Sequence, residues 1–265
     1  MGRKTHWHLM TWREIARARE ERAVVLVPAG TVETQGMHTA IGYEHIVPQR
    51  LAAAVAERTN AIVTPVLPFG FSPDYVDYPG TISLRPETLG ALYEDVLRSI
   101  ISHGFDHILV LVGHNPNAPY LYAAGYKLLA ELGVRVAWIN PLNVADKLLK
   151  EVSPNYAEAK GHGADPGISL GEYLEPGSTD FTDMAPNNPA KDFRGFPLSA
   201  KTPQYGGFPL AMAVMLKEVS PGLTGSAGDP QYGTAEQGAK IFELLVEHVV
   251  TLVQQYEKTD LSVHD

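Results

Sequence analysis

From Ala23 to Val27 the chain is apolar without interruption, and it then turns through Pro28 and Gly30 into a polar stretch. An unbroken apolar run bounded by turn residues predicts a strand buried on both faces, the kind found in parallel sheets. Residues 61–67 predict a second strand, residues 107–112 a third that ends in Gly113, His114 and Asn115, and residues 134–139 a fourth. Between them the apolar positions recur at helical spacing: over 12–22, over 44–58, from Arg85 through His103, on to Leu132, and over 234–256 at the end. This alternation predicts an α/β fold, a three-layer α/β/α arrangement with a mainly parallel central sheet. Ligands of such folds bind beyond the carboxyl ends of the strands, and Glu33 and His114 both sit at such ends. From 156 to 205 the text is rich in Gly, Pro, Asn and Asp and loses periodicity, which predicts long loops near the site and subunit contacts rather than another core layer.

Length and composition narrow the picture. No Ser/Gly-rich, charge-block or Pro-rich linker divides the 265 residues, so residues 1–265 are read as one domain. Lys and Arg total 21 against 30 Asp and Glu, a formal net charge of −9 with no basic stripe, and nucleic acid is not an expected partner. Without cysteine there is neither a disulfide framework nor a thiolate zinc site, so any metal must be held by His and carboxylates. The first residues carry positive charge but no apolar stretch behind it, and no run is long enough to span a membrane. A cytoplasmic protein is expected.

Glu33, Gln35, His38, Glu44 and His45 follow the first strand in quick succession, as if a buried strand emptied polar side chains into a cleft, and metal chemistry is the first expectation. Glu33 could merely cap the next segment, but His114 at a neighbouring strand end favours ligation. Gln35 is left open between ligand and hydrogen-bond partner of a ligand, and His38 between orienting a ligand and satisfying a turn carbonyl. His45, at the start of a helix, is read as solvent-facing or as a ligand's partner. His103 and His107 are read as surface residues, and His6 and His8 are given no role.

Residues 28–33 with Gly36 and His38, followed by Gly42, Tyr43 and Glu44, resemble the N-terminal metal-binding signature of the creatininase (creatinine amidohydrolase) family. Further pieces follow in the family's order: residues 70–72 leading to 78–83, residues 112–115 with Asn117, residues 161–163, and residues 228–230 before the last helix. The resemblance spans nearly the whole chain and implies a creatininase-like fold and a metal-dependent hydrolase. In the family an aspartate bridges a binuclear centre; Glu44 stands at that position, and Glu33 and His114 stand at two further ligands of one ion. Gln35 and Pro116 occupy the positions where creatininase holds its second ion with a His and a Glu. One tight Zn2+ or Mn2+ per chain is therefore expected, unless Asp165 or His45 rebuilds the second site.

His162 matches the family's proton-donating histidine and is the expected general acid. Asp74, Tyr75, Tyr78, Asn115 and Asn117 are expected to hydrogen-bond a small-molecule substrate. The expected reaction is hydrolysis of a C–N bond in a small polar cyclic amide or imide by a metal-activated water. Cleavage of a C–C bond in a cyclic polyol diketone, as in a 3-dehydro-scyllo-inosose hydrolase, is the alternative, and a non-catalytic binding member a further one. The resemblance and the apolar, aperiodic segment 205–216 together predict a homo-oligomer, with a hexamer as the first choice.

Overall fold

The computed structural model describes residues 3–182, 184, 190–199, 202–219 and 228–262. Helix α1 (Trp12–Glu20) starts on a capping box in which Thr11 accepts from the Glu14 amide while the Glu14 carboxylate accepts from the Thr11 amide. Strand β1 (Val24–Ala29) follows and is buried along its whole length. It pairs in parallel with β2 (Ala61–Val63) on one side and β3 (Ile108–Val112) on the other, and β3 pairs in parallel with β4 (Val136–Ile139). The order is β2-β1-β3-β4.

Because β1 and β3 lie inside a sheet covered on both faces, neither shows the apolar–polar alternation of a half-exposed strand. Their alternate side chains feed two separate cores. Val24, Leu26, Leu109 and Leu111 pack against α2 (Tyr43–Glu57), α5 (Pro141–Val152), α7 (Gly167–Leu174) and α9 (Ala235–Tyr256). Val25, Val27, Ile108 and Val110 pack against α3 (Pro86–Ser102), α4 (Ala118–Leu132) and Ala18 of α1. The expected three layers are present. The second strand is shorter than expected: it ends at Val63, before Pro65, and the chain rejoins the sheet only at the Leu67 bridge to Ala29.

The stretch 156–205 departs from expectation. It holds α6 (Tyr156–Ala159) and α7, and Ile168 and Leu170 of α7 are fully buried between α9 and α2, so part of it is core. Glycine hides this helix from a composition-based reading. A β-carbon at Gly167 would overlap the Tyr43 ring, and one at Gly238 of α9 would overlap the Ser169 carbonyl, so these contacts demand glycine where a helix would otherwise carry larger side chains.

Further on, β5 (Asp192–Phe193), β6 (Phe196–Ser199), β7 (Thr202–Tyr205) and β8 (Phe208–Pro209) form an antiparallel sheet in sequence order, followed by α8 (Leu216–Val219). Phe193, Val214, Leu216 and Val219 build a small core with Tyr75, with Tyr78 packed at its edge. The segment 205–216 is thus partly a hairpin turning at Gly206 and Gly207, with Tyr205 and Phe208 exposed beside the turn.

His103 is exposed as expected, but His107 is buried. Its Nε2 donates to the Thr259 carbonyl at 3.0 Å, and its ring lies edge-on to Tyr256, so the segment after α9 covers it. Covering by a segment 152 residues away leaves no local trace in the sequence. Among the described residues no helix is long and apolar enough to cross a membrane.

Candidate metal centre

The carboxyl ends of β1 and β3 meet the first turn of α2. Gly30 and Gly113 follow those strands, and a β-carbon on either would overlap the Glu44 carbonyl oxygen. Glycine at both positions is what lets the helix start sit directly on the sheet edge. Three side chains converge there: Glu33 from the segment after β1, Glu44 from the first turn of α2, and His114 just past β3. One donor atom from each lies within 4.8 Å of the others.

Glu33 and His114 are buried, at 1% and 2% exposure, whereas the Glu44 side chain is 14% exposed and opens to the cleft. His114 Nδ1 lies 2.6 Å from Glu44 Oε2, and its Nε2 donates to the Phe71 carbonyl at 2.9 Å and lies 3.6 Å from Glu33 Oε2. Burial opposes a charged His114, but the Glu44 carboxylate, by its charge and its hydrogen bond, and then Glu33 outweigh it and raise the pKa to about 9.

Two carboxylates packed around one imidazole leave negative charge in a poorly solvated place, where a cation is needed for balance. The set of two carboxylate oxygens and one imidazole nitrogen suits zinc or manganese. The Nε2–H bond to Phe71 holds the ring as a backbone carbonyl commonly holds a metal-binding histidine, with Nδ1 turned to Glu44. The residues present therefore fit a divalent ion.

His162 is brought to the same place. Its Nε2 donates to the Thr34 carbonyl at 3.0 Å, its Nδ1 lies 4.0 Å from Glu33 Oε1, and its ring stacks on Tyr75 with centroids 4.8 Å apart. His38 donates from Nε2 to Gly163 O at 2.7 Å, and burial lowers its pKa against the raising effect of that bond. It thereby fastens the loop that carries His162. Gln35 is buried and accepts from the Tyr43 hydroxyl at 2.7 Å.

Other expected residues stand outside the donor group. His45 donates from Nδ1 to the Thr31 carbonyl at 3.2 Å and does not join the three-residue donor group. Asp165 does not join it either, because its two carboxylate oxygens accept from the Ser169 amide and the Gln237 side chain. Asn117, expected to bind substrate, is fully buried; it accepts from the Phe71 amide and donates to the Gly30 carbonyl, both at 2.9 Å. It braces the two segments that flank the cluster. Tyr75 is buried behind His162, while Tyr78 and Asp74 are partly buried in the turn before Gly80 and lie outside the cleft wall.

The cleft beside Glu44 has a volume of about 350 Å3, and its wall includes Gln35, Tyr43, Asn115, His162 and Asp165. Asn143, Asp146 and Lys160 also line it and were not anticipated. Asn115 and Asn143 pair through their amides, Asn140 donates to Asn115 at 2.9 Å while capping α5, and Lys160 Nζ lies 2.9 Å from Asp146. The signal that could have found them is position: the Asn140 to Asn143 stretch follows the fourth strand, at the same carboxyl edge as Glu33 and His114.

A parallel sheet with helices on both faces and a carboxylate–imidazole cluster at its carboxyl edge defines an α/β protein with a metal-ligand set. The chain belongs to the creatininase family: its residues 8–253 match the family described as "Creatininase: Creatinine amidohydrolase". It is 25% identical over 262 residues to the creatinine amidohydrolase of Pseudomonas putida, covering 93% of this chain and 95% of that one. It is also 25% identical over 240 residues to the mycofactocin precursor peptide peptidase of Mycolicibacterium smegmatis, covering 88% of this chain and 85% of the relative. A crystal structure of creatininase superposes with a TM-score of 0.80 at 20% identity, over 98% of this chain and 100% of that one. A manganese form of creatininase and the Zn–Zn type of a mutant creatininase superpose with TM-scores of 0.79 and 0.77.

Proposed function

We propose that the protein is a metal-dependent hydrolase that cleaves an amide or imide C–N bond in a small polar, cyclic substrate. The observation that carries this reading is the gathering of Glu33, Glu44 and His114 next to a cleft that Glu44 and His162 line, with His162 Nδ1 4.0 Å from Glu33. Two relatives whose names denote an amidohydrolase and a peptidase support the choice of a C–N bond.

A single zinc or manganese ion held by Glu33, Glu44 and His114 would supply an electrophile for the substrate carbonyl and a water acidified to a pKa of about 7. The chain's own residues do the rest. His162 is held by Thr34 through Nε2, so Nδ1 is the nitrogen that exchanges a proton. As water adds to the carbonyl carbon and the C–N bond breaks, His162 Nδ1 gives its proton to the departing nitrogen and is reprotonated by the proton the water releases. One water is consumed, and a carboxylic acid and an amine are formed. Asn115, whose amide is held by Asn140 and Asn143, lines the same cleft and offers its amide to the ring substituents of the substrate. We further infer one domain over residues 1–265 and a homo-oligomeric, hexameric assembly, which light scattering tests.

The functional test is hydrolysis of a panel of cyclic amides, creatinine, hydantoin and dihydrouracil among them, by zinc- and manganese-loaded protein and by His162→Asn. The reading expects metal-dependent turnover of at least one compound, and a loss of roughly one hundredfold in the variant with its metal retained. No turnover of any cyclic amide, or loss of metal from the variant, would count against it.

A further inference from the structure

Gln35 is 1% exposed, and among the described residues its Nε2 meets no hydrogen-bond acceptor. The other end of the same amide is engaged, since Oε1 accepts from the Tyr43 hydroxyl at 2.7 Å. This bond also decides which way the amide points. The Tyr43 hydroxyl proton has Gln35 Oε1 as its acceptor. Flipping the amide would leave that buried phenol proton with nothing to bind. Gln35 is thus pinned with its oxygen toward Tyr43 and its buried NH2 group away from it, and the residue lines the cleft together with Glu44 and His162. A buried donor without an acceptor destabilises a fold, and a fold that retains one commonly has a ligand supply the acceptor.

We propose that Gln35 is a substrate-binding residue of this site, its Nε2–H donating to the substrate's carbonyl oxygen and holding it as it becomes an oxyanion. The inference rests on the hydrolase reading. When the water oxygen bonds to the carbonyl carbon, the C=O π pair moves onto oxygen, where the pinned N–H meets it; the pair returns as the C–N bond breaks and the nitrogen takes the proton from His162. The donor needs no reorganisation at that moment, because Tyr43 has already oriented it. The same geometry argues against Gln35 as a metal ligand, because its one good ligand atom, Oε1, is committed to Tyr43. The substrate class that follows is one whose scissile group carries an exposed carbonyl oxygen.

The test uses the zinc-loaded full chain and methylphosphonate, a tetrahedral oxyanion, with affinity read by titration calorimetry and zinc by elemental analysis. Gln35→Met, which keeps volume and removes the donor, is expected to keep its zinc and bind methylphosphonate roughly tenfold or more weakly, the worth of one hydrogen bond to a charged acceptor. Tyr43→Phe, which unpins the amide and leaves position 35 intact, is expected to weaken binding by a smaller factor. Unchanged affinity in Gln35→Met, loss of zinc from it, or no methylphosphonate binding by the zinc-loaded wild type overturns the proposal. If Gln35→Met does not fold, unchanged affinity in Tyr43→Phe overturns it. Failure of the wild type to hold zinc or manganese at all sinks the hydrolase reading itself, and the metal analysis tells the two failures apart.

Discussion

The rings of His162 and Tyr75 are stacked 4.8 Å apart at 17° between planes, and this contact joins the cleft to the small core that Tyr75 shares with Phe193, Leu216 and Val219. The imidazole is therefore held from two directions, by the Thr34 carbonyl at one nitrogen and by an aromatic face. Replacing Tyr75 with Leu keeps the site apolar but removes the stack. Turnover is expected to fall about tenfold with KM and metal content little changed, the pattern of a residue that positions another. Steady-state kinetics beside elemental analysis check it, and a fall in metal content would mean that Tyr75 supports the cluster instead.

Metal content tests the cluster directly. The purified protein is expected to hold close to one tightly bound divalent ion per chain, because the described His, Asp and Glu side chains form one such donor group. Glu33→Ala and His114→Ala should each abolish both the ion and the activity, since either leaves too few ligands for a dication. Two ions that survive dialysis of the wild type would show that a second site has been rebuilt.

Asn117 separates scaffold from chemistry. With Gly30 O and Phe71 N both depending on its amide, Asn117→Ala leaves two backbone groups without partners. A loss of roughly 1–3 kcal/mol of stability is expected in urea unfolding. A variant of wild-type stability with a raised KM would return Asn117 to the substrate-binding set.

The far end of the sheet predicts a pH effect. Tyr256 donates to the Ile108 carbonyl at 3.1 Å, and burial, partly offset by hydrogen bonds to the Ala137 and Ile108 backbone, pushes its pKa up to about 12. A group whose folded pKa lies above its unfolded value of about 10 contributes stability below that pH, and the contribution is lost as pH rises toward the folded value. The urea midpoint should therefore fall between pH 10 and 12, and less steeply in Tyr256→Phe than in the wild type. Equal slopes would show that Tyr256 ionises as freely in the folded protein as in the unfolded one.

What the sequence alone determined was whatever local pattern encodes. Buried parallel strands are written as unbroken apolar runs, so residues 24–27 and 108–112 were legible, and the residues just beyond them, Glu33 and His114, were legible as candidate ligands by their place at strand ends. Glu44 and His162 came from the family motif, and the three-layer architecture from the alternation of periods. The tertiary structure decided what depends on contacts between distant segments. Only the overlap that a β-carbon at Gly30 or Gly113 would make with Glu44 explains why the helix start reaches the sheet edge. Asn117 and His38 carry side chains that could have met a substrate or a metal, and packing turned each toward a backbone carbonyl on another segment, while Asp165 in the cleft wall is held by Gln237 and the Ser169 amide. The helix over Gly167–Leu174 was hidden because close contact with Tyr43 selects glycine, a residue that reads locally as loop. The direction in which the Gln35 amide points was likewise undetermined by the chain, because it is set by the Tyr43 hydroxyl, which only folding brings to it.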